Sequence, residues 1–453
     1  MGKRGIVIGF AEPWSLSRLP VFFLLADRID VSGLRLFGLI YNMKKIKLAT
    51  VFSGIGAIEQ ALLRLGVNHQ IVFACDNGEI DLKLLDKDSQ LEFDKLSKIA
   101  SYQRTKQEKQ RLQELTAREQ EIIENIAAYI TNLSSVQEKN NFVNELYKTH
   151  SKGYNYVKDT YIANYNINSR DFHLDVHFLD GRDYANKVDL MVGGSPCQSF
   201  SSNGKRGGFQ DTRGTLFHDY ARIIAEVRPK CFIFENVRGM LVHDNGNTWK
   251  VIKKTFKELG YKIYLNKDEN GKESPILNAS DYGVPQQRER IFLVGIRNDI
   301  DLVEDFTFPT PEKLTSTNQD FLDKNVPAKY YLGKKGFEFV TTHPTRAQVG
   351  RSIQKCQKAN QQFNWNGDFI FEPLDIQKHT SEILDRAHVG IWNDQRGVIR
   401  MYTPRECLRL MGFPDSFVMP HSDTIMWRHS GNSIVVDVLM KIMQQLLKTG
   451  IFE

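Results

Sequence analysis

The 453-residue sequence contains few cysteines and no long apolar run. Its five cysteines are an odd number without a Cys-x-x-Cys pair, which argues against a disulfide framework or a zinc site and favours a reducing compartment such as the cytoplasm. The apolar stretch Val21–Ala26 is too short to span a bilayer and is followed by charged residues. Glu12 and Pro13 interrupt the apolar stretch that a signal peptide would need. The sequence therefore predicts no membrane association.

The bulk composition is that of an ordinary globular protein. Hydrophobic residues make up 41% and charged residues 25% of the chain, which is enough to bury a sizeable core. The length gives a prior of about three domains. The net charge of +6 is compatible with a polyanionic partner but does not establish one.

One short stretch organises the chain. The apolar run Val188–Val192 is typical of a buried strand, and it continues into Gly193-Gly194-Ser195-Pro196-Cys197. Two glycines and a proline cannot continue a strand, so the chain turns and presents Cys197 at the edge of the sheet. Ligands bind at this edge in α/β proteins, and a nearby cation or helix N-terminus would favour a reactive thiolate. A lone cysteine is more often a buried core residue, but the blocks around it favour the reactive role.

This stretch resembles the Pro-Cys-Gln loop of the DNA cytosine-C5 methyltransferases of bacterial or phage restriction–modification systems. Several short blocks in family order at other positions support the resemblance, which together are very hard to obtain by chance. They are Phe52–Glu59, Glu235–Val237, Gln286–Arg290, Arg400–Asp415 and Ser430–Ser433. The resemblance implies an α/β fold with a Rossmann-like class I methyltransferase sheet, here with a helical insertion and a smaller target-recognition domain.

A nucleotide-like ligand is predicted near the first strand. The strand Ile46–Phe52 leads into a Gly-x-Gly turn, and a second strand ends in Asp76 about twenty residues later, where an acidic side chain can accept hydrogen bonds from ribose hydroxyls. A Gly-x-Gly turn alone is weak evidence, and NAD would be a fair interpretation of it. The resemblance instead implies S-adenosyl-L-methionine, with an aromatic face near the sulfonium and Asp180, or its rival Asp183, at the adenine. The implied cofactor residues are Phe52, Ser53, Gly54, Gly56, Asp76, Asp180 and Asn432.

The resemblance also implies three catalytic residues. The thiolate of Cys197 would add to carbon 6 of cytosine, while a protonated Glu235 hydrogen-bonds N3. Arg288 would stabilise the negative charge that develops at the ring carbonyl. The strand Lys230–Phe234 carries Glu235 to the same edge as Cys197, although such a carboxylate could equally be a satisfied core acid. For Arg290, structural ion pairing is the favoured interpretation.

The segment after the predicted nucleophile is polar, basic and glycine-rich. This composition is typical of a mobile lid, and its position beside Cys197 favours a loop that closes over DNA. Its cations would meet phosphates, and Asn203 could fill the gap left by a base that has been flipped out. The candidate DNA contacts are Ser201, Asn203, Lys205, Arg206 and Arg213.

The blocks divide the chain into predicted regions. Residues 1–42 have no counterpart in the family pattern, and we expect Met43 to be the native start. Between about 81 and 170, Leu112, Leu115 and Ile122 begin an amphipathic pattern that predicts one arm of a helical hairpin. A solvated insertion is the favoured interpretation of this region, with a DNA clamp or partner surface as the alternative. The other regions are a catalytic domain at 43–297, a target-recognition domain at 298–398 and a return to the catalytic domain at 399–453.

The predicted function is methyl transfer from S-adenosyl-L-methionine to a flipped-out cytosine in a specific sequence of double-stranded DNA. We expect a monomer with no metal, together with a cognate restriction endonuclease that acts separately. One alternative is a tRNA cytosine-C5 methyltransferase, which the large variable region disfavours. The other is a catalytically dead DNA-binding regulator, which the presence of Cys197, Glu235, Arg288 and Asn432 disfavours.

Overall fold

A mixed eight-stranded sheet is the frame of the molecule. The computed structural model describes residues 44–195 and 216–453. The strand order is β3-β2-β1-β4-β5-β9-β6, and β7 also pairs with β9. The strands are β1 (Ile46–Val51), β2 (His69–Cys75), β3 (Phe172–His173), β4 (Leu190–Gly193), β5 (Cys231–Val237), β6 (Tyr261–Tyr264), β7 (Ile276–Asn278) and β9 (Glu289–Arg297).

The connectivity of this sheet creates one place for a ligand. Strands β1 to β5 run parallel, whereas β9 is antiparallel to β5. The chain passes from β1 to β2 and β3 on one side, and then returns to place β4 on the other side of β1. The crevice at the carboxyl ends of β1 and β4 is thus the topological switch point, where α/β proteins bind ligands.

Helices cover both the sheet and the segments around it. Helix α1 is joined to the last helix, α12, by a bidentate ion pair in which both Arg64–Asp437 distances are 2.9 Å. The helices are α1 (Ala57–Arg64), α2 (Lys87–Lys98), α3 (Lys106–Thr131), α4 (Val136–His150), α5 (Tyr156–Asn164), α6 (Leu216–Val227), α7 (Asn247–Glu258), α8 (Lys334–Thr342), α9 (Ser381–Arg386), α10 (Pro404–Arg409), α11 (Asp423–Asn432) and α12 (Val436–Lys448). Among the residues that the structure describes, no helix is both long and apolar enough to cross a membrane.

The α/β fold predicted from the sequence is confirmed. Helix α10 begins with a capping box formed by Thr403 and Glu406, and Pro404 occupies its first turn. Three of the cysteines, Cys75, Cys231 and Cys407, belong to the buried core and are at most 1% exposed.

The insertion between β2 and β3 contains the four helices α2 to α5. Leu115 and Ile130 are buried on α3, as its apolar periodicity predicts. Helix α4 follows after the short connection at 132–135, which gives the predicted helical hairpin.

A second, smaller sheet lies in the variable region. It has the order β10-β12-β14-β13, and its apolar core is shared with Cys407, Leu410 and Trp427 of the C-terminal segment. Its strands are β10 (Gln348–Val349), β12 (Asp368–Pro373), β13 (Gly390–Trp392) and β14 (Gln395–Arg400), while β11 (Gln354–Lys355) pairs separately with β8 (Gln286–Gln287). The domain boundaries inferred from the sequence stay a prediction.

Candidate active site

The predicted nucleophile and DNA contacts fall on a part of the chain that the structure does not describe. Cys197, Ser201, Asn203, Lys205, Arg206 and Arg213 all lie outside the described residues. The segment that leads to Cys197 is described as far as Ser195. The structure therefore shows the residues around the end of β4, from which this segment begins.

The end of β4 lies directly against Glu235. A side chain on Gly194 would place its Cβ 2.0 Å from the backbone oxygen of Glu235 and 3.1 Å from its Oε2 atom. The next residue is held as well, because Asn236 Nδ2 donates a 2.6 Å hydrogen bond to the carbonyl oxygen of Ser195. The chain thus enters the segment of Cys197 from a point fixed beside the Glu235 carboxyl group.

Glu235 is largely enclosed and has one close cationic partner. Its side chain is 14% exposed, and its Oε1 atom lies 3.2 Å from Nε of Arg290. Burial raises the pKa of this carboxyl group, while the charges of Arg290 and Arg288 oppose that rise. A carboxyl group with a raised pKa is suited to carrying a proton near neutral pH.

Arg288 has a different environment from the one expected. Its Nη1 atom donates to the carbonyl oxygen of Gln357 at 2.8 Å, and its Nη2 atom donates to those of Gly431 at 2.9 Å and Ser433 at 2.6 Å. The residue is 3% exposed, and burial lowers its pKa to about 10. Arg288 therefore ties two distant backbone segments, at Gln357 and at Gly431–Ser433, to its own, and a contact with the substrate carbonyl stays a prediction.

Arg290 is the arginine that the structure brings to Glu235. The sequence favoured structural ion pairing for Arg290 and a substrate contact for Arg288. Residues two apart on a strand face the same way, so their spacing alone does not show which of the two lies beside Glu235. The Cys356 thiol lies beside both guanidinium groups, with Sγ 3.4 Å from Nη1 of Arg288 and 3.7 Å from Nη1 of Arg290. Nothing in the sequence around Cys356 indicated this position.

The Gly-x-Gly turn after β1 is braced by Asp76. The carboxylate accepts hydrogen bonds from the backbone nitrogens of Gly54 at 2.9 Å and Gly78 at 2.8 Å. Burial raises its pKa. Ser53 joins the same corner, since its Oγ atom accepts from the backbone nitrogen of Cys75 at 3.0 Å. Phe52 has a φ of 54° and packs partly against the main core.

Asn432 connects the C-terminal segment to this loop. It is the last residue of α11, and its Nδ2 atom donates to Oε1 of Glu79 at 2.8 Å. Glu79 lies three residues after Asp76 in the loop that follows β2. The structure thus brings two distant predicted cofactor blocks to the same edge of the sheet.

Asp180 is already neutralised by neighbouring cations. Its Oδ2 atom lies 2.8 Å from Nζ of Lys139 and its Oδ1 atom 2.8 Å from Nε of Arg182. Burial alone would raise its pKa, but the bonds from Arg182 and Lys139 lower the pKa to about 2. Its rival Asp183 also contacts Lys139, at 2.7 Å. Neither carboxylate follows a strand of the sheet directly.

A third carboxylate, Asp175, is closer to the carboxyl ends of the strands. It follows β3 by two residues, and His173 of that strand pairs with Cys75, the residue before Asp76. Asp175 therefore lies one residue past the level of Asp76, just beyond the ends of β2 and β3. The two-residue length of β3 hides it from periodicity arguments, which explains why the sequence alone did not reveal this carboxylate.

The turn after β1 has room for a small ligand. An ideal Cβ on Gly54 would meet no atom within 4 Å, so the backbone there is open to close approach. Asp76 retains lone pairs that ribose hydroxyls can use. These features fit an adenosyl cofactor. Over 44–195 and 216–453, no group of three His, Cys, Asp or Glu side chains is placed to hold a metal ion.

Comparisons with known proteins agree with the resemblance seen in the sequence. The family model of the C-5 cytosine-specific DNA methylases matches residues 125–448, more than half of the chain. The chain is 39% identical over 298 residues to the Type II methyltransferase M.SsoII of Shigella sonnei, covering 65% of this chain and 72% of that protein. It is 35% identical over 260 residues to M.HhaI of Haemophilus parahaemolyticus, covering 56% and 74% respectively. The S. pombe Dnmt2 methyltransferase has a similar fold, with a TM-score of 0.54 at 17% identity over 89% of this chain and 99% of that one.

Proposed function

The chain belongs to the C-5 cytosine-specific DNA methylase family and is a DNA cytosine-C5 methyltransferase, and from that premise we propose which of its residues carry the reaction. Cys197 is the nucleophile, Glu235 is the proton donor and Arg290 positions Glu235. The observation that carries the proposal is the end of β4, which abuts Glu235 two residues before the segment of Cys197 begins.

The methyl donor is S-adenosyl-L-methionine, which supplies an electrophilic methyl group on a sulfonium. Phe52, Ser53, Gly54 and Gly56 form the turn that faces it, and Asp76 binds the ribose hydroxyls. Asn432 closes the site from the C-terminal segment. Support comes from the open backbone at Gly54 and from the contact between Asn432 and the loop after β2. For the adenine amine we assign Asp175 rather than Asp180, because Asp175 follows β3 by two residues, near the carboxyl ends of the strands, whereas Asp180 lies farther along the chain from them.

The residues act in a defined order on a cytosine that has left the DNA stack. The thiolate of Cys197 forms a bond to carbon 6, and Glu235 donates its proton to N3, so that carbon 5 becomes nucleophilic. Carbon 5 then takes the methyl group. Loss of the carbon 5 proton to a base restores the double bond between carbons 5 and 6 and expels the thiolate, and N3 returns its proton to Glu235. Arg290, 3.2 Å from Oε1 of Glu235, holds the carboxyl group in place during these steps.

Arg288 supports the site through hydrogen bonds to backbone carbonyl groups. Its guanidinium group fixes the carbonyl oxygens of Gln357, Gly431 and Ser433, which brings the variable region and the block of Asn432 against the strand that carries Arg290. The Nε atom of Arg288 is buried and has no hydrogen-bond partner among the described residues, so it is the atom of this guanidinium group left to contact the cytosine carbonyl.

The substrate is a specific sequence in double-stranded DNA, and the relatives named Type II methyltransferases support a restriction–modification role. We propose that Ser201, Asn203, Lys205, Arg206 and Arg213 contact the DNA. We further propose that the enzyme acts as a monomer beside a separate cognate endonuclease, on DNA in the cytoplasm.

A covalent trap tests the proposal. Bisulfite sequencing of DNA from cells that express the protein would first give the methylated sequence. A duplex with 5-fluorocytosine at the target position should then form a denaturation-resistant adduct in the presence of methyl donor, because fluorine cannot leave as the carbon 5 proton does. Absence of the adduct with wild-type protein would refute the mechanism.

The matched variant is Cys197→Ser. It should form no stable adduct and transfer no methyl group, while its DNA affinity stays within about tenfold of wild type. If the Cys197→Ser protein still transferred methyl groups, another residue would have to be the nucleophile.

A further inference from the structure

The helical insertion has one buried polar face. On α4, Lys139, Val143 and Tyr147 follow one another at four-residue steps, so they lie on one side of the helix. Lys139 and Asn140 are at most 9% exposed and Tyr147 is 6% exposed, although α4 carries many solvated polar residues elsewhere. Buried polar side chains of this kind need partners, because an unpaired one is costly.

Their partners lie on or just before β3 and in the segment between β3 and β4. The Tyr147 hydroxyl donates to Oδ2 of Asp175 at 2.7 Å. Lys139 Nζ contacts Oδ2 of Asp180 at 2.8 Å and Oδ2 of Asp183 at 2.7 Å. Asn140 Oδ1 lies 2.9 Å from Nδ1 of His173. One helix face thus engages the end of β3 and all three carboxylates that compete for the adenine.

The contacts to Asp175 fix its carboxylate from both sides. Its Oδ1 atom accepts from the backbone nitrogen of His177 at 3.0 Å and lies 2.8 Å from Nδ1 of the same residue. Its Oδ2 atom is held by Tyr147. A carboxylate anchored at each oxygen keeps a single orientation, so its remaining lone pairs point in a constant direction. Lys139 meanwhile offsets the repulsion that Asp180 and Asp183 would exert on Asp175.

We propose that α4 of the insertion sets the adenine end of the methyl-donor site, with Tyr147 and Lys139 as positioning residues. The insertion is then neither a merely solvated appendage nor primarily a DNA clamp. This inference rests on the proposed function, since it takes the adenosyl donor as the ligand. It goes beyond it in assigning a role to helices outside the blocks that define the family resemblance.

The test compares two ligands that differ at the adenine amine. S-adenosyl-L-homocysteine carries the amine, and S-inosyl-L-homocysteine has a carbonyl in its place. Titration calorimetry on full-length protein should show that wild type prefers the adenosyl ligand. In Tyr147→Phe, we expect adenosyl affinity to fall roughly threefold to tenfold, the effect of one hydrogen bond, with inosyl affinity nearly unchanged. Tyr102→Phe is the control, because Tyr102 lies in the same insertion and is 83% exposed.

A second variant guards against simple loss of folding. Lys139→Gln should also reduce the preference for the adenosyl ligand over the inosyl ligand. Thermal unfolding of every variant is measured in parallel. Equal losses for both ligands, or no loss in Tyr147→Phe, would overturn the inference. If wild-type protein bound neither ligand, the proposed methyl donor would be wrong instead, which separates the two failures.

Discussion

Glu235 is a carboxyl group whose protonation is balanced by its neighbours. Burial raises its pKa, and the nearby charge of Arg290, followed by that of Arg288, lowers it. In the proposed mechanism the active form of Glu235 carries the proton, so activity should fall as the pH rises through this pKa. The pH at which activity falls, which is the alkaline limb of the pH–rate profile, therefore depends on Arg290.

Replacing Arg290 with Gln should move the alkaline limb of the pH–rate profile to higher pH. Removing the adjacent cation removes a force that lowers the pKa of Glu235, so the carboxyl group holds its proton longer. The rate itself should drop roughly 10²-fold, because the carboxyl group loses its positioning partner. The measurement is kcat/KM for methyl transfer across pH 6 to about 10.

Arg238→Gln is the matched control for that experiment. Arg238 is an exposed arginine that pairs with Glu289 at 2.7 Å, so its loss should leave the limb in place. A limb that stays fixed in Arg290→Gln, or moves to lower pH, would show that Glu235 is not the group that titrates.

At the scale of elements, the two glycines of the turn between β1 and α1 should have different roles, Gly54 in ligand binding and Gly56 in folding. Gly54 has a φ of 53° with nothing within 4 Å of an added Cβ, whereas an added Cβ on Gly56, at a φ of 80°, would lie 2.2 Å from the Tyr165 ring. The first glycine faces open space and the second faces packed protein. Substitutions two residues apart should therefore fail in different ways.

Gly54→Ala should weaken the methyl donor at least about tenfold and lower stability by only about 1–2 kcal/mol, the cost of a left-handed alanine. Gly56→Ala adds a steric clash and should lower the free energy of unfolding by about 2–5 kcal/mol. Urea denaturation and calorimetric titration with S-adenosyl-L-homocysteine measure the two effects. Similar stabilities for the two variants would contradict the distinction.

The elements were predicted from sequence where their patterns were long. The apolar strands β1, β2, β4 and β5 were recognised because a buried strand leaves a continuous apolar run in the sequence. The strand β3 has only two residues and leaves no recognisable apolar pattern, so the sequence could not place the carboxylate of Asp175 that follows it. The backbone partners of Arg288 could not be predicted for a related reason, since Gln357, Gly431 and Ser433 are at least 69 residues away in the chain.

At the scale of the whole molecule, a buried charge network joins the smaller sheet to the C-terminal segment. Arg400, at the end of β14, is fully buried and contacts both oxygens of Glu406 on α10 at 2.9 Å. It also donates to Oε1 of Glu372 on β12 at 2.6 Å. Burial would raise the pKa of Glu372, but the charge of Arg400 helps lower it to about 2.

Arg400→Met should lower the free energy of unfolding by about 3–5 kcal/mol, because the buried carboxylate of Glu406 loses its cation and that of Glu372 keeps only the partly exposed Lys378. Urea denaturation at neutral pH measures this loss. The control is Arg64→Met, which breaks a pair whose side chains are 34% and 23% exposed and should cost about 1 kcal/mol. Equal losses in the two variants would show that the buried network does not anchor the smaller sheet.

The main sheet ends on both sides in very short strands. One border is β3, with two residues, and the other is formed by β6 and β7, with four and three residues. Few backbone amides are therefore left without a partner along either border, and Lys262 places a charge on one of them. Such borders offer a poor template for another chain to add a strand, so the folded enzyme should resist edge-to-edge aggregation even when it is concentrated.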